Sequence, residues 1–343
     1  MAKKKLNKKL SELLLVNTIK EIADGVTVEK LSAMFFDATK LAKQPDPMYR
    51  LDSSGHRYYY KFDADGEPIF FTSVTTLIKN TLPTSPHLIK WLAEKGIEEG
   101  HDYAEERAHY GTFLHAQCAE LLINGKYNLD NLAPLLTAYL TTHNVPLNKN
   151  GWIDELKKDV LCFAQFIIDF KVQPLAIEII LSHPDGYAGA IDLVCDLDLE
   201  EKGFFGEKYL SGANKGQPKE SKQTRRVRAI VDLKSGRKGF YESSEIQLQA
   251  YANMWRYSFE ETIDKVFNWS PKDFRGTTPT YNFKDQSDSK NLDKLQYLIP
   301  LAKIEDDKRS NIVTKIGGNI DLLKGELGSI EELTFTELIK KNK

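Results

Sequence analysis

The sequence predicts an α/β protein, a mixed sheet with helices packed on its faces. Two observations carry this. From residue 151 onward, apolar residues at helical spacing give way to short β-favouring runs, in the order helix, three strands, helix, strand. The chain also has 343 residues with 41% hydrophobic and 28% charged content, the balance of an ordinary soluble globular protein. That length allows one large domain or a domain with an appendage.

Apolar spacing near 3.6 predicts helices over 5–23 and 28–42, broken at Asp24-Gly25. The run Leu13-Leu14-Leu15-Val16 is too short for a membrane span or a signal peptide. Arg57 to Phe62 and Pro68 to Phe71 read as a hairpin around Asp65-Gly66. Ser73 is placed to cap a helix beginning at Val74. Helices follow over 86–98, 103–124, 131–143 and 151–171. Strands are expected over 174–182, 187–197 and 227–235, then a helix over 241–257 and strands over 264–269 and 279–284. The Gly/Lys/Ser-rich stretch 200–226 is an insertion, either a mobile loop or an extended hairpin. After 286 the pattern gives two or three helices separated by polar linkers, one at Gly317-Gly318. The chain thus divides into 1–72, a core over 73–285, and a helical region over 286–343.

The chemistry lies in two strands that each hold one acid in an apolar run. They are Gly189-Ala190-Ile191-Asp192-Leu193-Val194 and Ala229-Ile230-Val231-Asp232-Leu233-Lys234. Desolvating an unpaired carboxylate costs several kcal/mol, so such acids need a partner. A hard divalent cation takes oxygen ligands and keeps several waters, and Asp192, Asp232 and the Leu233 carbonyl can supply oxygens. Strand alternation puts Lys234 on the face of Asp232, where its ammonium can orient or help deprotonate a water and meet phosphate charge. The competing reading is a structural ion pair between Asp232 and Lys234. Gln247 and Tyr251 are four apart on one helix face and can both donate to phosphate oxygens; ordinary helix surface is the bland alternative. His115, in Gly111-Thr112-Phe113-Leu114-His115, can complete a metal site or serve as a structural histidine.

The formal net charge is -2, so a nucleic-acid surface would have to come from charge segregation. Between Lys215 and Lys238 nine basic residues, among them Arg225, Arg226, Arg237 and Lys238, face only Glu220 and Asp232. Such a run is either a solvated face or a phosphate track. Cys118, Cys162 and Cys195 form no CxxC pair, which argues against zinc or a disulfide framework and fits a reducing, cytoplasmic compartment.

The order Gly-Thr-x-x-His, Gly-x-Ile-Asp, Val-Asp-Leu-Lys-x-Gly, Gln-x-x-x-Tyr resembles the PD-(D/E)XK nuclease superfamily, above all its RecB-like and phage-type exonucleases. Thr72-Ser73-Val74-Thr75-Thr76-Leu77 is similar to the Ser-Val-Thr opening of phage members, and the likeness spans 73–284. It implies a restriction-endonuclease-like core with a mixed sheet of four to five strands. It also implies a divalent-metal-dependent exodeoxyribonuclease of recombination, repair or phage DNA processing. His115, Asp192, Asp232 and Leu233 would be metal ligands, with Asp192, Asp232 and Lys234 catalytic. Gln247, Tyr251, Arg225, Arg226, Arg237 and Lys238 would meet DNA, and Glu178 matches a further acid of the preceding strand. The expected cofactor is Mg2+ or Mn2+, as one or two ions, in bacterial or phage-infected host cytosol. Linear duplex or single-stranded DNA and a recombination protein are the expected partners, with no membrane. The chain departs from the family in the 40 residues separating Asp192 from Asp232, and it lacks the four-cysteine iron–sulfur signature. It has no Walker A loop and so no nucleotide cofactor of that kind. An endonuclease of the same fold and a non-catalytic nucleic-acid-binding protein are the alternatives.

Overall fold

The computed structural model describes residues 41–53, 56–125, 127–146, 151–237, 239–275 and 278–317. The helices expected over 5–23 and 28–42 lie outside these residues, except for Leu41 and Ala42, which are not helical. Lys238 and the chain beyond 317 also lie outside.

The aromatic run forms β2 (His56–Phe62), paired antiparallel with β3 (Pro68–Ser73). Asp63 closes their turn, its Oδ1 accepting from the Asp65 and Glu67 amides at 2.9 and 2.8 Å, with Gly66 at φ 80°. A further strand, β1 (Tyr49–Ser53), adds to β2. It is not expected from the sequence, because Tyr49-Arg50-Leu51-Asp52-Ser53 is too short an alternation to stand out on its own. Ser73 accepts from the Thr76 amide at 3.0 Å and starts α1 (Val74–Thr81). Helices α2 (Pro86–Lys95) and α3 (Ile97–Asn124) meet at Gly96, whose φ of 93° permits the break. At Gly100 a Cβ would come within 2.6 Å of the Leu92 Cδ2, so glycine lets α2 pack back on α3 without that side chain moving. Next come α4 (Leu132–Thr142) and α5 (Trp152–Phe170).

Three strands build the centre: β4 (Gln173–His183), β5 (Tyr187–Gly203) and β6 (Ser221–Leu233). After α6 (Glu242–Phe259) the chain returns as β7 (Lys265–Pro271), parallel to β6, and β8 (Tyr281–Asp285). The sheet therefore has eight strands, in the order β1-β2-β3-β5-β6-β7-β8 with β4 on β5, rather than four to five. The surplus arises because the aromatic hairpin does not stand apart. Its strand β3 joins β5 in parallel through Thr72↔Tyr187 and Ser73↔Ala188.

This topology opens a gap. Along one edge β5 pairs with β4 from Tyr187 to Asp196. Along the other it pairs with β3 up to Ala188 and with β6 only from Leu193 onward. Strands β3 and β6 thus end toward each other, and residues 189–192 have no strand partner on that edge.

Two cores flank the sheet. On one side α3, α4 and α5 cover Leu193, Cys195, Val231 and Trp269; all three free cysteines are buried in this layer. On the other, α1, α6 and α7 (Ser289–Gly317) cover Ile179, Ile191, Val194 and Ile230. Within the described residues the tail is this one helix, which reaches Gly317 of the expected Gly317-Gly318 linker; the remainder of the expected helical region lies outside the described residues. Leu295, Leu298 and Ala302 recur at helical spacing and bury against α1 and α6. Strand alternation slips at one level of the sheet. Ile177 packs with the first core and Ile179 with the second, although they are two apart. Leu193 and Ile191, their partners on β5, are split in the same way. Between them lies Glu178 in the left-handed region, φ 49°, which costs a non-glycine residue about 1–2 kcal/mol. No helix among the described residues is long and apolar enough to cross a membrane.

The insertion is an extended hairpin. The β5–β6 ladder runs from Leu193↔Val231 to Gly203↔Ser221 without a register shift. Beyond Leu197 it is a two-stranded arm braced by Asp198–Arg226 at 2.9 Å, Glu201–Arg225 at 3.8 Å and Glu200–Lys222. Because the ladder needs nothing from the loop at its tip, replacing 204–220 by Asn-Gly should shift the melting temperature by no more than about 3 °C. Calorimetry showing a loss above about 10 °C would contradict an independent arm.

Candidate metal centre

The gap on β5 is the floor of a groove of about 690 Å³, walled by α3, α6 and the ends of β3 and β6. Asp192 stands where the β5–β6 ladder stops, and its Oδ2 accepts the Leu233 amide at 2.7 Å in place of a further strand bond. Opposite it on β4, the left-handed backbone of Glu178 releases that side chain from core alternation. His115 comes from α3, its Nδ1 lying 3.6 Å from both Glu178 Oε1 and Asp192 Oδ1. Those separations are too long for hydrogen bonds. The ligand atoms of His115, Glu178 and Asp192 all lie within 4.8 Å of one another. Metal–oxygen bonds of about 2.1 Å put opposite ligands about 4.2 Å apart, so small side-chain movements close the set on an ion.

Asp232 sits beside this trio and is 2% exposed. Lys234 Nζ reaches its two oxygens at 2.9 and 2.8 Å, and Asn268 Nδ2 donates to Oδ2 at 2.7 Å. Lys234 also donates to Gln247 Oε1 at 3.4 Å, and Gln247 in turn donates to the Tyr251 hydroxyl. Glycine admits this packing: a Cβ at Gly189 would lie 2.8 Å from the Tyr251 ring, and one at Gly111 would lie 3.0 Å from Ser235 Oγ.

The charges are unequal. Burial disfavours a charged His115, yet Asp192 and Glu178 outweigh it and hold the imidazole well above its ordinary range. Burial raises Asp192, but His115, Lys234 and the Leu233 amide prevail and keep it below the usual carboxylate range. Glu178 is pushed up by burial and by Asp192 and Asp232, with His115 opposing. Asp232 is raised by burial and by Asp192, with Lys234 opposing. Burial works to discharge Lys234, but Asp232 and Asp192 hold it above the usual lysine range. Three carboxylates therefore share one cationic lysine and one histidine, and a divalent cation would supply the missing positive charge.

The structure thus brings His115, Glu178, Asp192, Asp232, Leu233, Lys234, Gln247 and Tyr251 to one groove. Leu233 engages Asp192 through its amide. The arginines read as DNA contacts lie elsewhere. Arg225 and Arg226 are on the arm, paired with Glu201 and Asp198, and Arg226 also donates to the Lys171 carbonyl at 2.8 Å. Arg237 is clamped to Glu155 and Asp159 of α5, with Nε 3.2 Å from Asp273 Oδ1. Tyr110 donates to the other Asp159 oxygen at 2.7 Å, and Arg107 forks onto Glu155 at 3.1 and 3.2 Å. This network pins the loop three residues past Lys234 to the helical layer. Sequence reasoning missed it, and it missed Asn268, which Gln286 Nε2 supports at 3.0 Å. A signal for Asn268 existed: it is a lone polar residue in the apolar run Val266-Phe267-Asn268-Trp269, the pattern that marks Asp192 and Asp232.

Neither a scan against protein-family models nor a search of curated proteins finds a match to this chain.

Asp159 is fully buried, so Arg237→Ala would strand a carboxylate in the interior at a cost of about 3–5 kcal/mol. Urea unfolding should show this loss, with part regained on adding Asp159→Asn; an unchanged midpoint would refute the clamp.

Proposed function

We propose that the protein is a divalent-metal-dependent DNA nuclease of the PD-(D/E)XK kind, with a restriction-endonuclease-like core, that hydrolyses phosphodiesters from DNA ends. The observation that carries this reading is the convergence of His115, Glu178 and Asp192 at ligand spacing beside an Asp232–Lys234 pair, in one open groove. The donor set tests the metal. Carboxylate oxygens with one imidazole and no thiolate suit Mg2+ or Mn2+, and the imidazole favours Mn2+ more than an all-oxygen site would. His115, Glu178 and Asp192 would hold the ion, with Asp232 adjacent. The ion would supply Lewis acidity at the scissile phosphate.

The side chains supply the remainder. Lys234, fixed by Asp232, can donate to a non-bridging phosphate oxygen or hold a water in line for attack on phosphorus. Asn268 and Gln286 keep Asp232 from rotating away from Lys234. Gln247 and Tyr251 extend the donor row on the α6 side of the groove. The end preference follows from the likeness of the motif order to RecB-like and phage-type exonucleases.

The test is degradation of end-labelled linear DNA in Mg2+, against a closed circle. Asp192→Asn, Asp232→Asn and Lys234→Ala should each lower the rate by about 10³-fold, and EDTA should abolish it. Activity that survives EDTA, or that is equal in all variants, would overturn the assignment. Nicking of the circle with intact linear ends would replace exonuclease by endonuclease.

A further inference from the structure

The groove continues past the metal cluster along α3, and its far wall is aromatic. His109 lies six residues before His115, about 9 Å away along the helix axis. Its Nδ1 is 3.1 Å from the hydroxyl of Tyr139 on α4. His143, the residue that caps α4, brings its ring to 4.4 Å from Tyr139 and 5.9 Å from His109, centre to centre. Phe113 backs Tyr139 from the core at 5.4 Å and fixes that ring. All three rings line the groove, and His143 is exposed. Arg57 and Arg107 line the same groove.

We propose that His109, Tyr139 and His143 form a stacking subsite for unpaired bases of the strand whose scissile phosphate lies at His115, Glu178 and Asp192. The subsite rests on the nuclease reading for where that phosphate sits. A span of about 9 Å holds at most two or three nucleotides at the stacked spacing of about 3.4 Å, and fewer where the strand is extended. Aromatic rings at such a distance bind whichever bases follow, since every base has a π-face. A base inside a duplex has both faces covered by its neighbours, so the subsite selects a single-stranded end or a frayed duplex terminus. Partial desolvation and the neighbouring His109 hold His143 below its ordinary range, which favours the uncharged ring and stacking over a phosphate contact.

The test measures anisotropy of fluorescein-labelled dT12 and of a blunt 12-base-pair duplex in EDTA, where no cleavage intervenes. His143→Ala, at an exposed position, should weaken dT12 binding by about 5- to 100-fold. His143→Phe should restore it to within about twofold, and the slope of log Kd against log salt should not change. Duplex binding, which reaches the subsite only through a frayed terminus, should weaken much less than dT12 binding. The proposal fails if wild type does not bind dT12, if alanine has no effect, or if phenylalanine does not rescue. It also fails if the salt slope drops or the duplex loses equally. Cleavage is read separately. A chain that degrades DNA with Mg2+ but ignores His143→Ala keeps the nuclease reading and loses the subsite. One that shows the stacking dependence and never cleaves keeps the subsite and loses the nuclease reading.

Discussion

Everything in this molecule turns on three carboxylates drawn toward one another where the sheet has a hole. Glu178, Asp192 and Asp232 would repel if left to themselves, and taking each from water costs several kcal/mol. The fold answers with one histidine, one lysine and one asparagine, which is not enough positive charge. The hole makes the arrangement feasible. With β3 and β6 ending against residues 189–192, the carboxylates face a groove instead of a strand. The left-handed turn at Glu178 is part of the same device, because ordinary alternation would send that side chain into a core layer.

Around this centre the chain is held by several independent contacts. Lys234 is restrained by Asp232 at its side chain, by the Trp269 carbonyl at its amide (2.8 Å), and by the Arg237 clamp downstream. Ladder, helical layer and buried amides thus converge on a single ammonium. The β5–β6 arm takes no part in this, and its Lys222, Arg225 and Arg226 pair with its own acids. The groove itself is lined by Arg50, Arg57 and Arg107 and by the rings of His109, Tyr139 and His143, and on the proposed reading it is the path a nucleic acid would take.

Much of this was legible in the sequence, for reasons that differ by residue. Asp192 and Asp232 declared themselves because a charge in an apolar strand demands a partner, and Ser73 did so because an N-cap is a local event. The hairpin reading of 200–226 was one of two open options, and the unbroken register decides for it. The strand count was not legible. Joining β3 to β5 is a long-range pairing of only two residue pairs, and β1 is defined by its partner more than by its own residues. Glu178 could be named as an acid on a strand, but its backbone conformation depends on the tertiary fold. Basic residues in a row read as a solvated face or a phosphate track, and the structure adds what the pattern does not contain, that Arg225, Arg226 and Arg237 pair with acids remote in sequence, at Glu201, Asp198 and Asp159. Charge patterning cannot see such partners.

The central claim is that the excess negative charge exists to hold a cation. Anomalous diffraction from crystals soaked in Mn2+ addresses it most directly. The account predicts a peak within about 2.0–2.3 Å of a His115 ring nitrogen and of oxygens from Glu178 and Asp192. No peak in the groove at millimolar Mn2+, or a peak bound only by residues outside this set, would contradict it.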